Sequence, residues 1–338
     1  MTTDLLLSFA KTALGVATLS AEPMVGGGSD RKFYRLRSSE RVWVGVTGSN
    51  RAELRALLGF TAHFAQAGVP VPRIHASDPA VGVYVMDDLG EHTLAVQLEA
   101  WRRQPGSGSR ALDAVRVVVR WLPVIQVRGG AGLDYSLCTE GQELDRAGYE
   151  ADIARFLQHY VPRFVLRPGP DDRVQADIAR LVERLDGVPR RHFCYRDFQC
   201  RNIMWTNGGP VFIDYQSGRR GPLHYDLVSL LFSPDTGLQD AEREPLVDVY
   251  LAALREQGVA LERDAFLRDF YAFVLVRRMQ ALGAYAEFAV SKGKREYLAK
   301  IPPALATLRH LFAGGRLSLG LPALEEWLRA AVEAETVH

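Results

Sequence analysis

The chain has 338 residues, 47% of them hydrophobic and 24% charged, enough to bury a large core and, by the usual size of a domain, to form about two lobes. Its 41 basic and 40 acidic residues leave a formal charge of +1, so no global field recruits nucleic acid or an acidic membrane surface. Three cysteines, Cys138, Cys194 and Cys200, form an odd set at spacings that match no zinc ligand pattern, which points to a reduced, cytoplasmic protein.

The first apolar run, Leu5-Leu6-Leu7-Ser8-Phe9-Ala10, is preceded by Asp4 and followed by Lys11. It lacks the basic start and unbroken apolar stretch of a signal peptide and predicts an amphipathic helix. No run approaches the length of a membrane span. Next, Gly26-Gly27-Gly28-Ser29 leads through Asp30, Arg31 and Lys32 into an alternating strand. Gly27, Gly28, Ser29, Arg31 and Lys32 are candidates to cradle phosphate, because glycine lets backbone approach an anion closely; a plain hairpin turn is the alternative. A second strand covers 41–46, and a helix carrying Glu53 starts after Ser49-Asn50. The apolar strand at 82–90 stops in Asp87, Asp88 and Gly90. Residues 102–110 have the composition of a flexible loop. Helical periodicity resumes over 111–127 and again over 149–160, and no repeat of about 20 to 50 residues is visible.

The most informative stretch is 193–231. Asp197 and Asn202 stand five apart on one predicted loop. The apolar run Ile203-Met204-Trp205, the turn residues Thr206-Asn207-Gly208-Gly209-Pro210 and the apolar run Val211-Phe212-Ile213 predict a β-hairpin that ends on Asp214 and folds it back toward Asn202. Phosphoryl transfer needs little covalent chemistry from a protein: a carboxylate to take the acceptor's proton, and oxygen ligands for Mg²⁺. Asp197 suits the first task; Asn202 and Asp214 suit the second. A surface loop followed by an ordinary hairpin is the alternative, and the hairpin with its second Asp argues against it. Arg196 and Arg201 bracket Asp197 and could bind the phosphoryl group or shield its charge, structural pairing with Asp226 or Asp214 being the other reading. Cys194 and Cys200 read as small packing residues beside the loop, not as nucleophiles.

With these residues the chain resembles the aminoglycoside phosphotransferase and choline kinase family, small-molecule kinases with the bilobal protein-kinase fold. Tyr195-Arg196-Asp197 stands at the family's His-x-Asp segment, Tyr replacing His at a packing position, and Ile213-Asp214-Tyr215-Gln216 stands at Asp-Phe-Gly. Within the family, the segment from Arg196 to Gln199, the run from Gly221 to Leu231, and the helix from Arg277 to Ala286 followed by Tyr297 to Pro302 are similar to the bacterial anomeric amino-sugar kinases.

The resemblance implies an α+β fold with a small β-rich N-lobe over 1–90, holding the nucleotide-binding sheet, glycine-rich loop and hinge. A larger, mostly helical C-lobe over 91–338 would hold the catalytic loop and acceptor pocket. It implies ATP and Mg²⁺ as cofactors, and as acceptor a small-molecule sugar, phosphorylated at the anomeric hydroxyl of N-acetylmuramate or N-acetylglucosamine in cell-wall recycling. A functional link to a sugar-phosphate nucleotidyltransferase follows from the same likeness. Met86, Asp87, Asp88 and Leu89 would be the hinge that meets the adenine. Asp152, Arg146, Arg277, Gln280 and Tyr285 are the acceptor candidates, a solvated charge being the alternative for each. Asp226, expected to be buried, would support the catalytic loop.

One departure stands out: the second strand lacks the kinase lysine that holds the α- and β-phosphates. Only Lys11 and Lys32 precede Lys292, so Lys32 or Arg31 is the nearest substitute, and Glu53 is either its partner or a plain solvated residue. Two further functions stay open. An aminoglycoside-type antibiotic kinase would need a strongly acidic pocket, and no dense acidic run lies near Asp152. A catalytically silent nucleotide-binding pseudokinase or scaffold fits the missing lysine but not the intact Asp197, Asn202 and Asp214.

Overall fold

The N-terminal apolar stripe folds into a helix, α1 (Thr3–Leu14), whose Leu6 and Ala10 are fully buried. The computed structural model describes residues 3–24, 31–104, 106, 108–165 and 168–333. Two units account for the chain: Met1–Gln142 with Tyr195–Arg219, and Glu143–Cys194 with Arg220–His338.

In the first unit, β1 (Ser20–Met24), β2 (Lys32–Arg37) and β3 (Val42–Thr47) precede α2 (Arg51–Gln66), and β4 (Ile74–Asp78) and β5 (Val83–Asp87) follow it. They form one antiparallel sheet in the order β1-β2-β3-β5-β4. Side chains alternate between its faces. Tyr34, Leu36, Trp43, Val83 and Val85 pack with Leu6 and Ala10 of α1 on one face. Gly45 permits this: a Cβ there would lie 2.7 Å from Leu36 Cδ1 and 3.0 Å from Leu6 Cδ2. The other face carries Arg31, Phe33, Arg35, Val44, Tyr84 and Met86, which line a cavity. Asn50 caps α2 by accepting from the backbone N–H of Glu53 at 3.1 Å, which fixes Glu53 in the helix's first turn.

The chain continues through α3 (Leu94–Arg103) and α4 (Gly108–Pro123), with a π-helical turn over Val124–Arg128. The expected loop at 102–110 is therefore shorter than its composition suggested: Arg102 and Arg103 end one helix and Arg110 lies in the next, while 105 and 107 fall outside the described residues. In the second unit come α5 (Arg146–Arg155), a π-helical turn (Phe156–Tyr160), α6 (Val161–Phe164), α7 (Asp172–Asp186) and β6 (His192–Cys194). The chain re-enters the first unit for the hairpin β7 (Ile203–Thr206) and β8 (Gly209–Phe212), paired Ile203 to Phe212 and Thr206 to Gly209.

After β9 (Arg219–Gly221), the second unit is completed by α8 (Leu223–Leu231), α9 (Asp240–Glu256), α10 (Arg263–Ala286), α11 (Ile301–Ala313) and α12 (Pro322–Glu333). Every residue of α8 is buried, so this helix is apolar nearly all round and is packed on all sides. It runs beside α10, the long central helix of the unit. Gly283 lets α10 approach the α5 end closely, since a Cβ there would fall 2.6 Å from the backbone nitrogen of Phe156. Buried Asp177 of α7 accepts from the backbone N–H groups of Ala323 (2.8 Å) and Leu324 (3.0 Å), anchoring the start of α12. Among the described residues no helix is long and apolar enough to cross a membrane.

His224 of α8 is stacked 4.0 Å from Phe266 and 5.0 Å from Phe273, with Nε2 at 3.2 Å from the Phe266 carbonyl. Burial pushes its pKa from 6.5 down to about 4, against smaller opposing effects of Asp269 and the Phe266 carbonyl. Between those values the unfolded chain holds the extra proton, so stability must fall as pH drops through that window, by roughly 3 kcal/mol in total. Equilibrium unfolding of wild type and His224→Gln across the range should give curves that converge at low pH; a constant gap would refute the linkage.

Candidate active site

Asn202 organises the predicted catalytic loop. Its side-chain Nδ2 donates to the carbonyl of Asp197 at 2.9 Å, and its backbone carbonyl accepts from Ile213 N–H at 3.0 Å. The first bond closes the loop; the second carries the β7–β8 register one step further and delivers Asp214 beside it. Arg196 and Asp214 both have left-handed backbone, with φ of 73° and 69°. For non-glycine residues this conformation is strained, on the order of 1–2 kcal/mol each, and must be held by its surroundings.

Tyr195 provides part of that hold. It is buried, lies edge-on to Tyr215 (6.0 Å) and Phe198 (5.3 Å), and donates its phenol to the Ile213 carbonyl. Tyr195 thus combines a packing role with a bond directly before Asp214. Tyr215 is held in turn by Thr61: Thr61 Oγ1 donates to the Leu57 carbonyl at 2.6 Å, so at 2.6 Å from Tyr215 it accepts the phenol proton.

A cavity of about 710 Å³ in the first unit takes in Asn202, Asp214 and Arg201 together with Met86, Asp87, Asp88 and Leu89. Its volume is that of a small-molecule or cofactor site. Arg31 also lines it. Arg31 Nη2 is 2.5 Å from Asp214 Oδ1 and its Nε is 3.6 Å from Glu53 Oε1. Gln216 Nε2 bridges the same two acids, 2.9 Å from Asp214 Oδ1 and 3.2 Å from Glu53 Oε1. Burial works against the charge of Arg31, but Asp214, Tyr84 and Glu53 outweigh it and raise its pKa. Tyr84 is itself pushed up to about 12, chiefly by burial, with Arg31 pulling the other way. Beside the hinge segment, Arg35 pairs with Asp88 (2.8 Å) and Glu91 (2.7 Å), and His75 Nε2 lies 2.7 Å from Asp87.

Lys32 is exposed and lies outside the cavity lining. Gly27, Gly28 and Ser29 lie outside the described residues. Asp197 and Arg196 are half-buried in the loop and Arg201 is exposed. Among the described residues no group of three or more His, Cys, Asp or Glu is placed to hold a metal ion. A cation here would take oxygen from Asn202 and Asp214 and complete its shell with phosphate and water, which suits Mg²⁺.

The second unit gathers four of the five acceptor candidates. Buried Asp152 accepts from Tyr225 Oη at 3.4 Å; Arg277 lies over the Tyr225 ring at 5.8 Å, donates Nε to Ser229 Oγ at 2.8 Å and bonds Gln280. Arg278 follows, buried, with Nε and Nη1 lacking hydrogen-bond partners; burial and then Arg277 lower its pKa to about 10, with Tyr285 opposing. Arg146 stands apart, half-exposed and paired with Glu150 (3.8 Å) and Asp186 (4.0 Å). Asp226 is fully buried and accepts from the Cys194 thiol at 3.7 Å.

Residues 20–267 match the APH phosphotransferase enzyme family, well over half of the chain. The chain belongs to that family. A phosphotransferase of this kind is also what its relatives are. An N-acetylmuramate/N-acetylglucosamine kinase of Caulobacter vibrioides is 24% identical over 367 aligned residues, spanning 96% of this chain and 95% of that protein. The enzyme of the same name from Neisseria meningitidis is 27% identical, over 72% and 71%. Among solved structures, a choline/ethanolamine kinase family protein from Mesorhizobium loti superposes with a TM-score of 0.60 at 15% identity, covering 97% of this chain and 99% of that one. An ADP-bound aminoglycoside phosphotransferase gives 0.52 at 13% identity, covering 82% and 99%. The fold is the α+β kinase-like one that the catalytic-loop motif implied.

Sequence reasoning passed over Gln216, Tyr84, Tyr225 and Arg278. Tyr84 was legible in part, because strand alternation puts it on the same face as Met86. Nothing local marks the other three. Tyr195→Phe should lower the unfolding free energy by about 1 kcal/mol, the usual net worth of one hydrogen bond, with the packing intact. Urea denaturation reads this as a lower midpoint at unchanged slope; an unaltered midpoint would mean the Tyr195–Ile213 bond contributes nothing.

Proposed function

We propose that this phosphotransferase uses ATP and Mg²⁺ to phosphorylate a small-molecule hydroxyl, the anomeric hydroxyl of an amino sugar such as N-acetylmuramate or N-acetylglucosamine. The observation that carries the reading is the Asn202 hub, which joins Asp197 to Asp214 at the edge of a nucleotide-sized cavity. Relatives named N-acetylmuramate/N-acetylglucosamine kinase, aligned over 72% to 96% of the chain, support the acceptor. So does the character of the Asp152 cluster: buried Arg277 and Arg278 on the same unit as Asp152 disfavour a polycationic antibiotic and suit an acceptor with hydroxyl, amide or acidic groups.

In this reading Asp197 takes the acceptor's hydroxyl proton as its oxygen attacks the γ-phosphorus and the bond to the β,γ-bridging oxygen breaks, releasing ADP. Asn202 and Asp214 would hold Mg²⁺, which neutralises phosphate charge when bound. Arg196 and Arg201 flank the transferred group, Met86 to Leu89 meet the base, and Asp152, Arg277, Gln280 and Tyr285 hold the acceptor. Asp226 supports the loop from its buried site. The lobe division at residue 90, a cytoplasmic setting and a link to a sugar-phosphate nucleotidyltransferase belong to the same proposal.

Asp197→Asn keeps the shape of the base and removes its proton affinity. Turnover should fall by on the order of 10² to 10⁴ with nucleotide binding preserved. Asp214→Ala should instead lower Mg²⁺-dependent nucleotide affinity and turnover together. Product analysis by ³¹P NMR with amino sugars, choline and an aminoglycoside as separate acceptors assigns the substrate class. Near-normal turnover of Asp197→Asn would remove the base assignment, and phosphate on the aminoglycoside alone would remove the sugar.

A further inference from the structure

We propose that Arg31 supplies, from the entrance of β2, the phosphate-binding cation that kinases ordinarily place on the third strand, and that it stays paired with Asp214 until nucleotide phosphates replace that carboxylate. The proposal rests on the ATP-dependent reading above and deepens it by naming the residue that completes the nucleotide site.

The strand itself cannot provide a cation. On the cavity face β3 offers Val44, and β5 beside it offers Tyr84 and Met86. Lys32 is excluded by the pleat: it shares a strand face with Tyr34 and Leu36, the face packed by α1, whereas Arg31 shares one with Phe33 and Arg35. Of the two basic residues that the sequence offered, only Arg31 lines the cavity.

Its surroundings are those of a functional cation. The guanidinium is held between Glu53 of α2 and Asp214 behind the hairpin, at 3.6 and 2.5 Å, with only 15% of the side chain exposed. Gln216 ties the same two acids together. Gly48, just past β3, leaves room for the arginine stem, since a Cβ there would lie 3.2 Å from Arg31 Cγ. A planar guanidinium can keep one edge on Glu53 while presenting the other to phosphate oxygens, which a lysine cannot do.

The pairing with Asp214 has a consequence of opposite sign for two ligands. Both hydrogen bonds to Asp214 fall on Oδ1, one from Arg31 and one from Gln216. A divalent cation reaching Asp214 competes with Arg31 for that charge, whereas a phosphate attracts Arg31 away. Removing Arg31 should therefore weaken metal-free nucleotide and strengthen metal binding to the nucleotide-free protein. A merely structural arginine would weaken both.

The test uses the full chain as wild type, Arg31→Gln, Arg31→Lys and Lys32→Ala, each checked for a cooperative thermal transition. ADP is titrated calorimetrically in EDTA, and Mn²⁺ is titrated without nucleotide by electron paramagnetic resonance. Loss of charge-assisted bonds should weaken ADP on the order of 10- to 100-fold in Arg31→Gln, with partial recovery in Arg31→Lys and no change in Lys32→Ala. Mn²⁺ should bind Arg31→Gln more tightly than wild type. If Arg31→Gln bound ADP like wild type, or Lys32→Ala carried the loss, or Mn²⁺ affinity fell with ADP affinity, the assignment would be overturned. Wild-type protein that bound ADP neither in EDTA nor with Mg²⁺ would overturn the ATP-dependent reading, a result that none of the variant comparisons imitates.

Discussion

The amide of Asn202 closes the loop on which the chemistry depends. One side chain spends its nitrogen on the Asp197 carbonyl while its own backbone carbonyl receives Ile213. Asp197 and Asp214 therefore cannot drift apart without breaking a hydrogen bond at the start of a paired hairpin. The left-handed residues Arg196 and Asp214 lie on either side of this junction. Their strain is tolerated because Tyr195, Phe198 and Tyr215 form an aromatic block beneath them, with the Tyr195 phenol bonded to the carbonyl that precedes Asp214.

Around this junction the first unit solves a problem of charge. Glu53 and Asp214 converge on Arg31, beside a cavity whose wall includes Val44, Met86, Leu57 and Ile213. Two carboxylates there would repel each other and resist burial. Arg31 and Gln216 answer both demands with one cation and one neutral donor, so both acids are paired without a surplus of positive charge.

The second unit is polarised differently. Its buried polar cluster is dominated by arginine, and Arg278 has orphaned nitrogens where a buried guanidinium normally finds an acceptor. Buried donors left unpaired are costly, and binding partners commonly offset that cost.

What the sequence by itself determined was local. The amphipathic α1, the hairpin from Ile203 to Phe212 and the five-residue spacing of Asp197 and Asn202 all follow from periodicity, turn chemistry and short-range order, and so could be read without coordinates. The same reading set the catalytic stretch beside the kinase family and narrowed the substitute cation to two adjacent residues. Tertiary structure made the choice. Arg31 and Asp214 are 183 positions apart, and Gln216 and Glu53 are 163 apart, so nothing in either neighbourhood records their meeting. The pleat of β2 decided that Arg31 faces the cavity while Lys32 does not. The loop at 102–110 shows the reverse error, because the helices that bury Trp101 and Ala111 run on through the exposed Arg102, Arg103 and Arg110, which composition alone would not predict. Arg146 stands apart from the other acceptor candidates: its i,i+4 partner Glu150 was legible on the same helix, but its second acid, Asp186, was fixed only when α5 and α7 came together.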